Sequence, residues 1–208
     1  MADAADTPRE PQALPLFPLH TVLFPGGVLP LRVFEQRYVG MVKACLAEDR
    51  GFGVCLILRG DEVARPAQHE SPEIATVGTV ARIGRWDVPQ LGILQIEAVG
   101  MSRFQVTGKA PAKDGLLVGD VTPLADEPRV PLPSAFTPLA KLLELIATRV
   151  GPQQFPVARH FDDATWVGYR LAELLPLPLT VKQSMLEVND SEVRLAVLAR
   201  FLKEQQLL

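Results

Sequence analysis

Short apolar runs alternate with glycine, proline and charged residues along the chain up to about residue 123. Each run has the length of a β-strand, and Gly and Pro interrupt the runs as they do in barrels and sandwiches. The run 91–99 is nearly apolar on one face and mixed on the other, which is typical of a central strand. The predicted strands cover residues 14–19, 28–33, 53–58, 77–83, 91–99, 104–107 and 116–121.

One helical pattern interrupts these predicted strands. Apolar side chains recur there at i, i+3, i+4, i+7 and i+8, the spacing of one helix face. The residues are Tyr38, Met41, Val42, Cys45 and Leu46. Gly51 follows as a stop signal, and we expect this helix to plug the open side of the sheet.

Helical spacing dominates the last third of the chain. The first pattern has Thr137 as its expected N-cap and Pro138 at N1, and it ends at Gly151. A second helix is predicted from about Asp163 to Leu174, before Pro176. Capping boxes begin at Thr180 and Asn189, and they predict a third and a fourth helix.

These patterns predict an α+β protein in four parts. Pro123, Pro128, Pro131 and Pro133 discourage regular structure, so we place the boundary between two lobes there. The parts are a disordered N-terminal arm, 1–13; a twisted β-barrel or sheet lobe with one embedded helix, 14–123; a Pro-rich connection, 124–136; and a small α-helical bundle, 137–208.

Composition narrows the classes of partner and the compartment. The formal net charge of -3 gives no general attraction toward phosphate backbones or anionic membranes. Hydrophobic residues make up 48% of the chain, which indicates that apolar surface remains outside the core. No apolar run approaches the ~18 residues of a membrane span, and residues 1–13 do not resemble a signal peptide. We expect a cytoplasmic protein.

Residue patterns for metal, cofactor or nucleotide binding are weak. His20, His69 and His160 lie far apart, and none is at zinc-ligand spacing from a cysteine. Cys45 and Cys55 are interpreted as buried thiols. The turn Phe24-Pro25-Gly26-Gly27 leads into an apolar run without the lysine of a phosphate-binding loop. We therefore predict neither a metal nor a cofactor.

No catalytic residues are predicted either. Ser184 with Lys182, or Ser134 with Lys141, could form a Ser-Lys dyad, but nothing nearby supplies an oxyanion hole. A loose cluster of basic residues permits a nucleic-acid-binding face as an alternative, and a solvated strand edge is the favoured interpretation. That cluster consists of Arg82, Arg85, Arg103 and Lys109.

Several segments taken together resemble the LON substrate-binding domain, the N-terminal domain of Lon-family ATP-dependent proteases. The opening segments are Leu14-Pro15-Leu16-Phe17-Pro18-Leu19, Phe24-Pro25-Gly26, Leu29-Pro30-Leu31, Val33-Phe34-Glu35 and Arg37-Tyr38. The similarity continues through Phe52-Gly53, Val77-Gly78-Thr79, Val99-Gly100, Arg103-Phe104 and the stretch from Leu186-Glu187 to Arg194-Leu195.

This resemblance implies a PUA-like β lobe with an embedded helix, followed by a helical lobe. It also implies recognition of unfolded or damaged polypeptides, with a protease or a chaperone as a candidate partner. The 208 residues contain neither the Walker motifs nor the Ser-Lys protease dyad of full-length Lon proteases. We therefore expect a non-catalytic adaptor or weak holdase.

Candidate contact residues lie in two predicted turns. Trp86, Val88, Pro89 and Leu91 are assigned to a turn between strands, where a tryptophan has little core to enter. Packing of Trp86 on the adjacent sheet stays open as an alternative of equal weight. Phe24 and Pro25 are further candidates, with core packing as the favoured alternative. Client side chains would bury apolar surface there, and an extended client could add its main chain to a free strand edge. The sequence does not predict the oligomeric state.

Overall fold

The computed structural model describes residues 12–62, 71–150, 155 and 159–207. Most of the predicted N-terminal arm and the stop residue Gly151 lie outside this range, whereas Gln12 and Ala13 already belong to the first strand. The described strands are β1 (Gln12–Leu19), β2 (Val28–Val33), β3 (Phe52–Arg59), β4 (Glu73–Ile74), β5 (Val77–Gln90), β6 (Ile93–Pro111) and β7 (Leu117–Pro123). The helices are α1 (Gln36–Ala47), α2 (Thr137–Val150), α3 (Ala164–Leu174), α4 (Leu179–Glu187) and α5 (Ser191–Glu204).

Five of the strands close into a barrel. They follow the order β1-β7-β6-β5-β3, and β1 also pairs with β3. The β1–β3 pairing is parallel, with Phe17 opposite Val54, and the other strand pairings are antiparallel. Strands followed by helices make the α+β class, and the predicted fold class is confirmed.

Strands β5 and β6 are much longer than the pattern predicted. The predicted strands 91–99 and 104–107 are one continuous strand, because residues 100–103 keep pairing, with Gly100 opposite Ala81 and Arg103 opposite Thr79. The predicted turn from Trp86 to Leu91 is also wrong for most of its length. Trp86 lies in β5 opposite Ile96 in β6, and the turn is confined to Leu91 and Gly92.

Helix α1 packs its apolar face on the sheet, as its spacing predicted. Val42 is fully buried and belongs to one hydrophobic cluster with Ala81 and Ile96. This cluster lies under β2, the first part of β6 and the segment of β5 around Ala81, and it also contains Phe17 and Phe52 from the barrel. The helix therefore supports the base of a hairpin that extends beyond the barrel.

The last four helices share a hydrophobic cluster with the barrel. Leu139, Leu171 and Leu195 are buried in it beside Phe24 and Leu56. Several predicted helix starts need correction. Thr137 lies inside helical backbone that begins with a 3-10 turn, Ser134–Phe136. Helix α4 follows Pro178 with no side-chain cap, and Asp190 rather than Asn189 caps α5.

Buried arginines join the helices to strand β6 and to the turn that precedes β2. Arg103 of β6 donates to the Leu186 carbonyl at 2.9 Å and to Asn189 Oδ1 at 2.6 Å. Arg170 of α3 donates to the Pro25 carbonyl at 2.7 Å. Each guanidinium satisfies carbonyl oxygens that burial would otherwise leave without a donor.

Candidate functional site

Three strands form a small sheet that projects from the barrel, in the order β2-β6-β5. Leu31, Ile96 and Trp86 lie opposite one another across these strands. Paired residues of antiparallel strands project from the same face, so all three share the face that α1 covers. Ile96 in the middle strand is 2% exposed, whereas Trp86 is 57% exposed. Trp86 remains accessible because β5 has no described partner strand outside it beyond Ala81.

The tip of the hairpin is apolar. Gln90 pairs with Ile93, so Leu91 and Gly92 form a two-residue turn, and Gly92 at its second position has a φ of 84°, the positive φ that a type II turn requires there. Leu91 is 97% exposed. Turns usually carry Gly, Asn, Asp, Ser or Pro, so a fully exposed leucine has no explanation in the local backbone.

Phe34 belongs to the same end of the sheet, and the sequence reasoning did not select it. Phe34 follows Val33, which pairs with Leu94 close to the start of β6. Its side chain is 52% exposed. The signal was present, because Phe34 directly follows an apolar strand and precedes α1. We call the exposed apolar side chains of Phe34, Trp86, Val88 and Leu91 the hairpin surface.

A groove of about 540 Å³ borders the hairpin surface. Three adjacent strands line it, with Pro30 and Leu31 from β2 and with Trp86 from β5. Its charged lining residues are Arg32, Arg85, Asp87 and Glu97. Two cations and two anions balance, so the groove carries no net charge toward a partner.

Phe24 and Pro25 lie elsewhere. Phe24 is fully buried, and its ring centroid is 5.7 Å from that of Tyr169, which agrees with the core-packing alternative. Pro25 lines a different groove of about 530 Å³, together with Met101 and Trp166. Among the six candidate residues, the structure therefore brings Trp86, Val88, Pro89 and Leu91 together and separates Phe24 and Pro25 from them.

The family model of the ATP-dependent protease La (LON) substrate-binding domain matches residues 13–204. The chain belongs to the LON substrate-binding domain family. A solved structure of a Lon N-terminal domain protein from Xanthomonas campestris shares 37% identity, covers 91% of this chain and 98% of its own, and superposes with a TM-score of 0.74. The N-terminal domain of Lon protease from the Mycobacterium avium complex, at 16% identity and a TM-score of 0.61, shares the fold.

Curated relatives of this LON domain are much longer proteins. Lon protease 2 of Myxococcus xanthus is 27% identical over 206 residues, which are 94% of this chain and 24% of the relative. Protein cereblon of Xenopus tropicalis is 31% identical over 114 residues, or 53% of this chain and 23% of the relative. The matched segments thus span about a quarter of the length of these two relatives.

The thiols of this LON domain are buried. Cys45 and Cys55 are both free and buried, as predicted. Burial raises the pKa of the Cys55 thiol to about 12, so this cysteine is a poor nucleophile at neutral pH. No helix among the described residues is long and apolar enough to cross a membrane.

The polar side chains considered as a dyad bond elsewhere in the LON domain. Ser184 donates to the Thr180 carbonyl, and Lys182 donates to the Glu173 carbonyl at 2.7 Å. Within residues 12–62, 71–150, 155 and 159–207, no three metal-ligating side chains come together.

The basic cluster does not form one open face. Arg103 is 3% exposed, and Arg82 lies 3.4 Å from Asp49. Arg85 lies 3.8 Å from Glu97, and Lys109 donates to the Pro72 carbonyl at 2.9 Å. Arg103 is therefore buried and lies on no solvated edge, whereas the contacts of Arg82, Arg85 and Lys109 favour the solvated-edge interpretation over a site for a phosphate backbone.

Proposed function

We propose that this LON domain binds unfolded or damaged polypeptides on the hairpin surface and works as an adaptor or weak holdase. The observation that carries the proposal is the grouping of four large exposed apolar side chains at one end of the projecting sheet. Unfolded clients differ from folded proteins mainly in the apolar side chains that they present to water. An exposed apolar surface therefore distinguishes the two states of a client.

The free energy of such a contact is modest. Burying apolar area contributes ~25 cal/mol per Å², and a fully buried large side chain contributes about 1.5–3 kcal/mol. Ordering a flexible client and immobilising it cost several kcal/mol in return. The balance supports affinities on the order of micromolar, which suit transient holding of a client.

Suppression of client aggregation tests the proposal. The chain is mixed with a chemically unfolded client, and light scattering is followed with the unchanged chain, Trp86→Ala and Leu91→Ala. Each substitution is expected to weaken the effect by about 5- to 30-fold in the concentration required, because an anchor in an interface contributes about 1–2 kcal/mol.

Leu145→Ala is the matched control. Leu145 is 51% exposed on α2, so its truncation removes a similar exposed area from another part of the molecule. We expect no change in holding activity for this variant. Full activity in both Trp86→Ala and Leu91→Ala would remove the hairpin surface from the proposal.

Chemistry on the client is assigned to a separate catalytic unit. Ser184 and Lys182 donate hydrogen bonds to carbonyl oxygens within the fold, and the Cys55 thiol is buried and neutral at pH 7. We expect the purified chain to bind a casein client without hydrolysing it and without hydrolysing ATP. Measurable cleavage or ATPase activity that copurifies with the chain would contradict this assignment.

A further inference from the structure

The two outer edges of the projecting sheet determine how an extended client can bind. An extended polypeptide can either add its main chain to a strand edge or contact the sheet through side chains alone. Strand addition requires a row of free N–H and C=O groups at regular spacing along the edge. The edges of β2 and β5 can be compared with this requirement residue by residue.

The edge of β2 lacks a donor at its centre. Within the described residues, β2 pairs only with β6, and Pro30 and Arg32 are exposed. Proline within a sheet faces its missing N–H toward the free edge, because a ladder hydrogen bond would otherwise be lost. The outer edge of β2 therefore has a gap in the middle of a six-residue strand.

The edge of β5 is interrupted more often. Whichever of the adjacent residues Val88 and Pro89 faces outward, no free donor results, because the Val88 N–H is already bonded to Asp87 Oδ1 at 2.7 Å and Pro89 has no N–H. The register with β6 shifts between Ile83 and Arg85, and it shifts again between Asp87 and Gln90. Such bulges disturb the regular spacing of edge groups, and bonded donors, prolines and charged side chains block further strands.

Apolar side chains remain accessible where the main chain is blocked. Trp86, Val88 and Leu91 belong to the same strand and turn as the blocked donors, and they are 57%, 47% and 97% exposed. The bordering groove balances Arg32 and Arg85 against Asp87 and Glu97. The main chain of a client thus finds few hydrogen-bond partners here. Neither a positive nor a negative client gains affinity from the net charge of the groove.

We propose that the hairpin surface binds the apolar side chains of a client alone, without strand addition. Its clients are therefore selected by their apolar content, whether the segment is neutral or charged. This inference rests on the proposed function and states its mode of recognition. The expectation that an extended client could extend the sheet is thereby replaced. Binding depends on the side chains of the client and is indifferent to its amide donors.

Amide-to-ester substitution separates the two modes. An ester bond removes the N–H donor without adding bulk, and a strand uses alternate residues on each edge. A neutral, unstructured peptide with Leu and Phe spaced by Ser and Gly is labelled with a fluorophore. Two ester versions remove the odd-numbered and the even-numbered donors, and a third peptide replaces Leu and Phe with Ser. Dissociation constants are measured by fluorescence anisotropy with the unchanged chain.

Both ester peptides are expected to bind within about threefold of the all-amide peptide, and the Ser peptide is expected to bind at least about tenfold more weakly. An ester peptide that binds more than about tenfold more weakly than the all-amide peptide would overturn the side-chain mode and leave the proposed function intact. If the all-amide and Ser peptides bind equally, or if neither binds, the proposed function itself fails.

One further arm examines the charge balance. Peptides flanked by two lysines or by two glutamates are expected to bind within about threefold of each other. A larger preference would contradict selection by apolar content alone.

Discussion

Trp86 and Ile96 face each other on neighbouring strands, yet Trp86 is 57% exposed and Ile96 is 2% exposed. They share one face of the sheet, and their difference comes from strand order. Ile96 lies in the middle strand over the α1 cluster, whereas Trp86 lies on the edge strand beyond it. Two apolar residues in direct register thus have separate roles. Ile96 contributes to the stability of the core, and Trp86 contributes apolar surface that a partner can reach.

Alanine substitutions at these two positions should separate the properties. Ile96→Ala leaves a cavity in the core and is expected to lower the free energy of unfolding by about 2–5 kcal/mol. Trp86→Ala is expected to change it by less than about 1 kcal/mol, because the indole already lies largely in solvent. Urea unfolding of both variants measures the difference, and equal losses would contradict the assignment of Trp86 to the surface.

Glu127 is expected to be among the most sensitive polar residues. Its carboxylate accepts two hydrogen bonds from Arg194, at 2.8 and 3.1 Å, and one from the Tyr169 hydroxyl. Glu127→Ala leaves the Arg194 guanidinium buried with carbonyl acceptors but without its carboxylate partner, which costs about 3–5 kcal/mol.

The exposed pair of Arg200 and Glu204 on α5 serves as the control for this loss. Glu204→Ala should change the free energy of unfolding by less than about 0.5 kcal/mol, because water screens exposed pairs. Chemical denaturation measures both variants. A loss below about 1 kcal/mol for Glu127→Ala would show that Arg194 finds other acceptors.

Stability should fall at alkaline pH. Burial raises the pKa of Tyr38, Tyr169 and Cys55 to about 12, from ordinary values of 10.0 for tyrosine and 9.0 for cysteine. The folded chain therefore holds protons that the unfolded chain releases. The resulting contribution to the free energy of unfolding is complete below about pH 9 and is lost progressively toward pH 12. Lys182 acts in the opposite direction, because burial lowers its pKa.

Tyr38→Phe isolates one of these groups. Phenylalanine keeps the ring that stacks on Phe17, with centroids 4.0 Å apart, and removes the titrating hydroxyl. The decline in unfolding free energy between pH 9 and 12 is expected to be shallower in this variant than in the unchanged chain. Parallel slopes in urea titrations at several pH values would exclude Tyr38 from the alkaline loss.

The strands are not expected to fold without the helices. Phe24 and Leu56 belong to the cluster that the helices bury, and Arg103 loses its acceptors at Leu186 and Asn189 when the chain ends at residue 123. A fragment of residues 1–123 should show no cooperative unfolding transition by circular dichroism. A sharp transition would support the predicted lobe boundary as a boundary of folding.

Local signals predicted much of the architecture. The sequence predicted helix α1 from the spacing between Tyr38 and Leu46, and it predicted the start of α3 at Asp163, which accepts from the Thr165 N–H at 3.0 Å. Both signals depend only on residues that are neighbours in sequence. The length of β5 could not be predicted from the sequence. Gly84, charged residues and Pro89 weaken the strand pattern there, and pairing with β6 overrides that weak preference.

The hairpin surface could be predicted only in part from the sequence, for the same reason. Trp86 and Leu91 stood out as apolar residues near a turn, whereas Phe34 joins them through the pairing of Val33 with Leu94, which is distant in sequence. Phe24 looked equally apolar, but the helices bury it. Exposure follows from strand order and from the packing of distant segments, which no short window of sequence contains.

The closure of the barrel has a consequence for synthesis on the ribosome. Strand β1 is made first, but Leu14 pairs with Gly119 of β7, the last strand to be made. At ~5–20 residues per second, the buried side chains of β1 wait on the order of 5–20 s for that neighbour. A protein that is proposed to hold unfolded chains thus keeps one edge of its own apolar first strand without a neighbour until synthesis reaches β7.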